Sequence, residues 1–202
     1  MNADRLHLGC FDCPVDGWLN TDITPHIWVS RFPMLASVLY RSGRMSKDRL
    51  QQHKLGIFRN VEYLNLFKPL PYAESTFRHV FSSHVFEHLP RAKLALLLRE
   101  LHRVLRPGGT MRVSVPDLTI MVKNYSEQDG DAFVNAIFEI DHANAKNRHH
   151  WMYNECSMRV ILSAAGFTNI TRCRYRQGKC PDLELLDNRP EHSLFMEADK
   201  PD

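Results

Sequence analysis

The chain has 202 residues, 44% hydrophobic and 24% charged, with a formal net charge of +3 and five cysteines. Such a composition fits one soluble globular domain with a sizeable core, and the small charge argues against a nucleic-acid binder. There is no 18-residue apolar run to span a membrane and no apolar leader at the polar N-terminus, and irregularly spaced cysteines fit reduced thiols in a cytoplasmic setting better than a disulfide framework. Residues 5–9 and 18–23 read as the first two strands. In residues 31–58, Phe32, Leu35, Val38 and Leu39 predict a helix, Gly43 breaks it, and Ser46 caps a second helix running through His53. That stretch is longer than a crossover needs, which suggests a substrate or partner surface. Val61 to Leu66 reads as strand three and His79 to Ser83 as strand four. Leu94, Leu97, Leu98, Leu101, Val104 and Leu105 then recur at helical spacing. Arg106 is expected to close the last turn, and Pro107, Gly108 and Gly109 to stop the helix. Met111, Val113 and Val115 begin strand five. Helices are expected over 118–126 and 129–139, and a polar, aromatic loop over 140–153. Asn154 caps a helix over 155–165, and strands at 168–175 and 192–199 form a final antiparallel pair.

Strand, helix, Pro-Gly-Gly stop and strand make a β-α-β unit, half of a doubly wound sheet. The fold class is therefore α/β, mostly parallel with an antiparallel C-terminal strand pair. Ligands of such sheets bind at the carboxyl ends of the strands.

The order Ser83-His84, Glu87-His88-Leu89, amphipathic helix, Leu105-Arg106-Pro107-Gly108-Gly109 and strand resembles class I S-adenosylmethionine-dependent methyltransferases of the small type 11 kind. Leu6-His7-Leu8-Gly9-Cys10 resembles their first strand and cofactor loop. Gly17-Trp18-Leu19-Asn20-Thr21-Asp22 resembles the second strand with its terminal acid, and Ser193 to Ala198 the last strand. The likeness runs from about residue 5 to 200. It implies a Rossmann-like single domain over 1–202 and S-adenosyl-L-methionine as cofactor, leaving as S-adenosyl-L-homocysteine. It also implies acceptors of the glycan or small-metabolite class. Relatives of this kind usually carry a helix before the first strand, so the resemblance suggests either a domain cut from a longer protein, with a flanking glycosyltransferase domain or enzyme as partner, or a minimal member of the family.

Cofactor residues follow from position. Gly9 supplies a flexible turn after strand one, with Cys10 beside it, although Phe11 stands where the family usually has a second glycine. Asp22 ends strand two, where an acid accepts hydrogen bonds from ribose hydroxyls; the alternative is a turn aspartate before Thr24 and Pro25. Asn65 and Leu66 are placed beside the adenine, and Ser83 and His84 beside the methionine portion.

Methyl transfer to a hydroxyl needs the acceptor positioned and its proton removed. His150 and then His149 are the candidate bases near neutral pH, with Asp117 at the end of strand five orienting acceptor or base. The alternatives are a solvated loop for the histidines and a helix cap for Asp117. Trp151 beside this polar cluster would suit a sugar ring. The leading reading is O-methylation of a sugar hydroxyl. The others are a small-metabolite or lipid-linked acceptor, and a degenerate partner-binding domain.

No metal ligands are assigned. Asp141, His142, His149 and His150 allow a divalent metal but lack regular spacing. His84-Val85-Phe86-Glu87-His88 also matches the inverted zinc-peptidase pattern H-x-x-E-H, yet Ser82-Ser83 before it and Pro90 after it deny it a continuous helix. Cys10-x-x-Cys13 is half a metal or redox motif. Arg172, Arg174, Arg176 and Lys179 form a basic strand edge, read either as a solvated edge that discourages pairing or as a site for a phosphate-bearing acceptor.

Overall fold

A computed structural model describes residues 4–32, 34–138 and 148–202. Seven strands form one sheet: β1 (Arg5–Leu8), β2 (Leu19–Asp22), β3 (Val61–Tyr63), β4 (Phe77–Ser83), β5 (Leu105–Pro116), β6 (Thr168–Cys173) and β7 (Ser193–Asp199). Their spatial order is β3-β2-β1-β4-β5-β7-β6. The first five run parallel, and β7 pairs antiparallel with both β5 and β6. This is the expected doubly wound sheet with an antiparallel C-terminal pair. The chain runs outward from β1 to β3 on one side and returns to β4 on the other, so the switch of strand order, where such sheets open a crevice, lies between β1 and β4.

The helices are α1 (His26–Val29), α2 (Leu35–Arg41), α3 (Lys47–Lys54), α4 (Arg91–Val104), α5 (Leu118–Lys123), α6 (Gly130–Phe138), α7 (Glu155–Ala164) and α8 (Leu183–Leu186). Ser46 and Asn154 cap as the sequence suggests, and Asp117 takes the helix cap that is its alternative reading. The Ser46 side chain accepts from Arg49 N, Asp117 from Thr119 N, and Asn154 forms a reciprocal cap with Ser157. The main core lies between β1, β4, β5, β7 and helices α4 and α7. It includes Leu6, Leu8, Val80, Leu97, Leu98, Leu101, Val113, Leu162 and Met196.

Several boundaries differ from expectation. Helix α4 ends at Val104, and Leu105 already pairs with Phe77, so Arg106 does not close the helix. Its Nε instead donates to the Thr76 carbonyl at 3.1 Å. The Pro-Gly-Gly run lies inside β5, where Phe77 pairs with Leu105 but His79 with Thr110. Three extra residues are bulged out there, which glycine and proline accommodate. The short helices α1 and α8 carry too few residues to show a helical period.

Among the described residues no helix is long and apolar enough to cross a membrane. All five cysteines are free thiols. The basic edge is largely paired within the chain. Arg172 meets Asp117 at 2.9 Å, Arg176 meets Glu184 at 3.0 Å, and Lys179 meets Asp199 at 2.6 Å.

Candidate functional site

The carboxyl ends of β1, β2, β3 and β4 bring most of the expected cofactor residues to one edge of the sheet. After β1 the chain turns at Gly9, with φ +65°, and a Cβ there would overlap Val85 Cγ2. Glycine is required on both counts. Cys10 is buried and its N–H donates to the Thr21 carbonyl, tying the turn to β2. Burial pushes the Cys10 thiol well above its usual range, with the Asp22 carboxylate adding to the effect. The thiol therefore stays protonated.

Phe11, the departure from the expected glycine, takes a left-handed backbone with φ +45°. Its ring packs edge-on to Phe58 at 6.4 Å and under the Arg49 guanidinium at 4.4 Å. The loop thus keeps a glycine-like backbone while the side chain is absorbed by an aromatic cluster with Phe58, His26 and His53. The α3 stretch, atypical in sequence, supplies that support through Arg49, whose Nη1 also reaches Asp12 at 3.0 Å.

Asp22, at the end of β2, accepts the Phe11 N–H at 3.0 Å on Oδ2 and the Thr24 N–H at 2.6 Å on Oδ1. Burial raises its pKa while these backbone donors act the other way. An ionised carboxylate has about four acceptor positions, so two remain after the two backbone bonds. Asn65 Oδ1 accepts the Phe67 N–H at 2.9 Å and shapes the turn after β3, where Leu66 is half-buried. Ser83 Oγ donates to Asn188 Oδ1 at 3.2 Å.

His84 follows β4 with φ +53°. Its Nε2 lies 2.9 Å from Ser193 Oγ and its Nδ1 3.2 Å from Glu87 Oε1. Phe86–His88 form one 3-10 turn, not an α-helix. His84, Glu87 and His88 therefore do not share a helical face, which removes the peptidase geometry.

Beyond β4 and β5 lies a cavity of about 450 Å³, within the usual range for small-molecule sites. His84, Pro116, His149, Arg189 and His192 line one part of it. Ile120, Met121 and Asn124 at α5, with Ala132, Phe133 and Ala136 of α6, line another. His149 is buried, with Nδ1 3.0 Å from the Ile137 carbonyl. His150 is exposed, and its N–H donates to the Glu87 carbonyl at 2.6 Å. Trp151 stacks under Arg91 at 4.5 Å. Asp117 is fully buried, giving one oxygen to Thr119 N at 2.9 Å and the other to Arg172 at 2.9 Å. It anchors the start of α5 next to the cavity wall. Asp141 and His142 lie outside the described residues. The cavity also draws on Arg189 and His192, which sequence reasoning missed because they lie in the segment between α8 and β7, far in sequence from the other lining residues.

A family model described as "Methyltransferase domain" matches residues 41–113, from the end of α2 into β5. Residues 41–113 thus resemble a methyltransferase domain, and the chain as a whole shares the fold of solved methyltransferases. The solved structures it resembles include a possible exported protein from Bordetella parapertussis (14% identity, TM-score 0.54, 98% of this chain and 62% of that one). The CurJ carbon methyltransferase is another (13%, 0.54, 98% and 48%). A third is the 1,6-didemethyltoxoflavin-N1-methyltransferase of Burkholderia thailandensis, solved with S-adenosylhomocysteine (18%, 0.50, 98% and 71%). The chain thus spans less than two thirds of the first two structures. A search of curated proteins finds no match.

Solved structures that this chain resembles include S-adenosylmethionine-dependent methyltransferases, and the residues present here are compatible with that cofactor. The turn at Gly9 brings backbone against Val85 with no room for a side chain, and Asp22 keeps acceptor capacity at the position for a ribose. The matched segment begins after both residues, so the fit of the first loop rests on this geometry.

Proposed function

We propose that this methyltransferase domain transfers the methyl group of S-adenosylmethionine to a hydroxyl of a sugar or glycan. The observation that carries the reading is the cavity at the ends of β4 and β5. It adjoins the cofactor edge through His84 and is walled by histidines on one side. When bound, the cofactor supplies an activated methyl group and its own leaving group, so the protein's task is positioning and proton removal.

In this reading Gly9, Cys10 and Phe11 form the loop under the cofactor, and Asp22 accepts the ribose hydroxyls. Asn65 and Leu66 flank the adenine, and Ser83 and His84 flank the methionine end. His150 takes the acceptor proton, His149 lines the acceptor site, and Asp117 fixes the α5 wall. Trp151 offers a ring face to the sugar.

A second reading has a specific observation behind it. Ile120, Met121, Ala132, Phe133 and Ala136 make one side of the cavity apolar. An acceptor with an apolar part, such as a lipid-linked sugar or a small aromatic metabolite, would bury it there. The likeness to a carbon and an N-methyltransferase is compatible with such acceptors. A partner-binding domain without catalysis is the remaining alternative.

Calorimetric titration with S-adenosylmethionine and S-adenosylhomocysteine, followed by acceptor screening with labelled methyl donor, tests these readings. Micromolar cofactor binding and label in a sugar hydroxyl support the first. Label only in lipid-linked or aromatic acceptors supports the second. Loss of binding to both cofactor forms would leave the partner-binding domain.

A further inference from the structure

One cluster next to the cavity has no use in methyl transfer as described. Glu87 is fully buried in the turn after β4, and neither of its carboxylate oxygens has a hydrogen-bond partner. Among the described residues, His84 Nδ1 lies 3.2 Å from Glu87 Oε1. His88 Nδ1 is likewise buried without a partner. The His88 and His149 rings lie 4.9 Å apart, and one donor atom each from Glu87, His88 and His149 falls within 4.8 Å of the others. A carboxylate in such surroundings is costly unless a cation or donors face it.

We propose that Glu87, His88 and His149 bind one divalent transition metal ion, with zinc as the fitting member. Two imidazoles and one carboxylate are a zinc donor set, whereas magnesium and calcium favour oxygen donors. Tetrahedral zinc at about 2.0–2.2 Å from each donor places the donors roughly 3.4 Å apart, within side-chain adjustment of the observed separation. The surroundings fit a metal-bound imidazole. With Nδ1 of His149 donating to the Ile137 carbonyl at 3.0 Å, the tautomer that results puts the lone pair on Nε2. The loop bearing His149 is fastened to the same turn, because the N–H groups of His150 and Trp151 both point at the Glu87 carbonyl, at 2.6 and 3.3 Å.

Among the described residues three protein donors are grouped, and three donors with a fourth position for a substrate or water oxygen are the arrangement of catalytic zinc sites. The ion would clamp the loop at His149 onto the end of β4 and stand beside the acceptor cavity. His149 is then a ligand, and proton removal falls to His150.

The test uses the full chain, stripped with a chelator and titrated with cobalt(II) and then zinc, in the absence of S-adenosylmethionine. Its outcome is therefore separate from the methyl-transfer reading. One cobalt per chain, with the visible bands of a four-coordinate site and displacement by zinc, is the expected result. Glu87→Gln and His88→Gln should each weaken binding more than tenfold, while His53→Gln, in the separate His26–His53 pair, should not. Circular dichroism checks that the variants fold. If they do not, thermal melting of the wild-type chain decides, since a specific ion raises the midpoint as its concentration exceeds Kd. Absence of stoichiometric cobalt together with an unchanged midpoint, or binding that survives both substitutions or is lost in His53→Gln, overturns the proposal.

Discussion

Asp22 at the end of β2 holds the Phe11 N–H at 3.0 Å, so the acid placed for the ribose also fixes the loop that would carry the cofactor. Its second oxygen binds the Thr24 N–H at 2.6 Å. One residue thus couples loop shape to the remaining acceptor capacity.

Asp22→Ala removes both functions. The expected result is a Kd for S-adenosylmethionine raised about 10- to 100-fold, corresponding to roughly 1–3 kcal/mol for hydrogen bonds to a charged group. Calorimetric titration measures it. A Kd within a factor of two of wild type would show that the ribose is held elsewhere.

His150→Ala should leave cofactor affinity unchanged and lower turnover about 10²- to 10⁴-fold, the usual share of general-base catalysis. Cofactor titration and turnover on an identified acceptor separate the two. The exposed position of His150 predicts a folded variant, so undiminished turnover would remove it from the base role.

The sheet was legible because β4 and β5 carry buried apolar residues between turn residues, and because α4 has a clear helical stripe. Gly9, Asp22 and Asn154 were legible because a left-handed turn, a strand-terminal acid and a cap each demand few residue types. What stayed hidden depends on contacts between distant segments. Phe11 looked like a broken loop, since nothing local announces that Arg49 and Phe58 will take its ring. The basic run at 172–179 reads from sequence as a solvated edge or a site for a phosphate-bearing acceptor, since its acidic partners Asp117, Glu184 and Asp199 are scattered along the chain. Glu87 reads from sequence only as part of the Glu-His-Leu motif or of the peptidase-like pattern, because burial of a carboxylate has no sequence period.

Arg112 is the clearest case of a hidden residue. It sits in an apolar strand, fully buried, with Nε and Nη2 on Asp187 at 2.9 and 2.5 Å and Nη1 on Glu197 at 3.3 Å. It also donates to the carbonyls of Gln177 and Arg174, fastening the segment before α8 to the sheet. Arg112→Met leaves two buried carboxylates without their cation. The expected loss is about 3–5 kcal/mol, or roughly 6–20 °C in Tm for a chain of this size. Thermal melting by circular dichroism measures it, and a loss below 1 kcal/mol would mean the segment is held by its apolar contacts.

His7 gives the fold an acid limit. It is buried in β1 with Nδ1 3.1 Å from Asn20 Oδ1 and its ring against Phe81 at 5.2 Å. Burial lowers its pKa from 6.5 to about 4, despite the opposing hydrogen bond to Asn20. The folded chain keeps the ring neutral while the unfolded chain protonates it near 6.5, so the unfolded state binds more protons between those values. Stability is therefore fully present above pH 6.5 and falls as pH drops toward 4, by about 2 kcal/mol at pH 5 from this residue. His26, also lowered to about 4, chiefly by burial and next by His53, adds a loss in the same direction. Urea unfolding of wild type and His7→Gln at pH 8 and pH 5 isolates the His7 share. The variant should lose about 2 kcal/mol less than wild type between the two pH values, and equal losses in both would mean that His7 takes up its proton without unfolding.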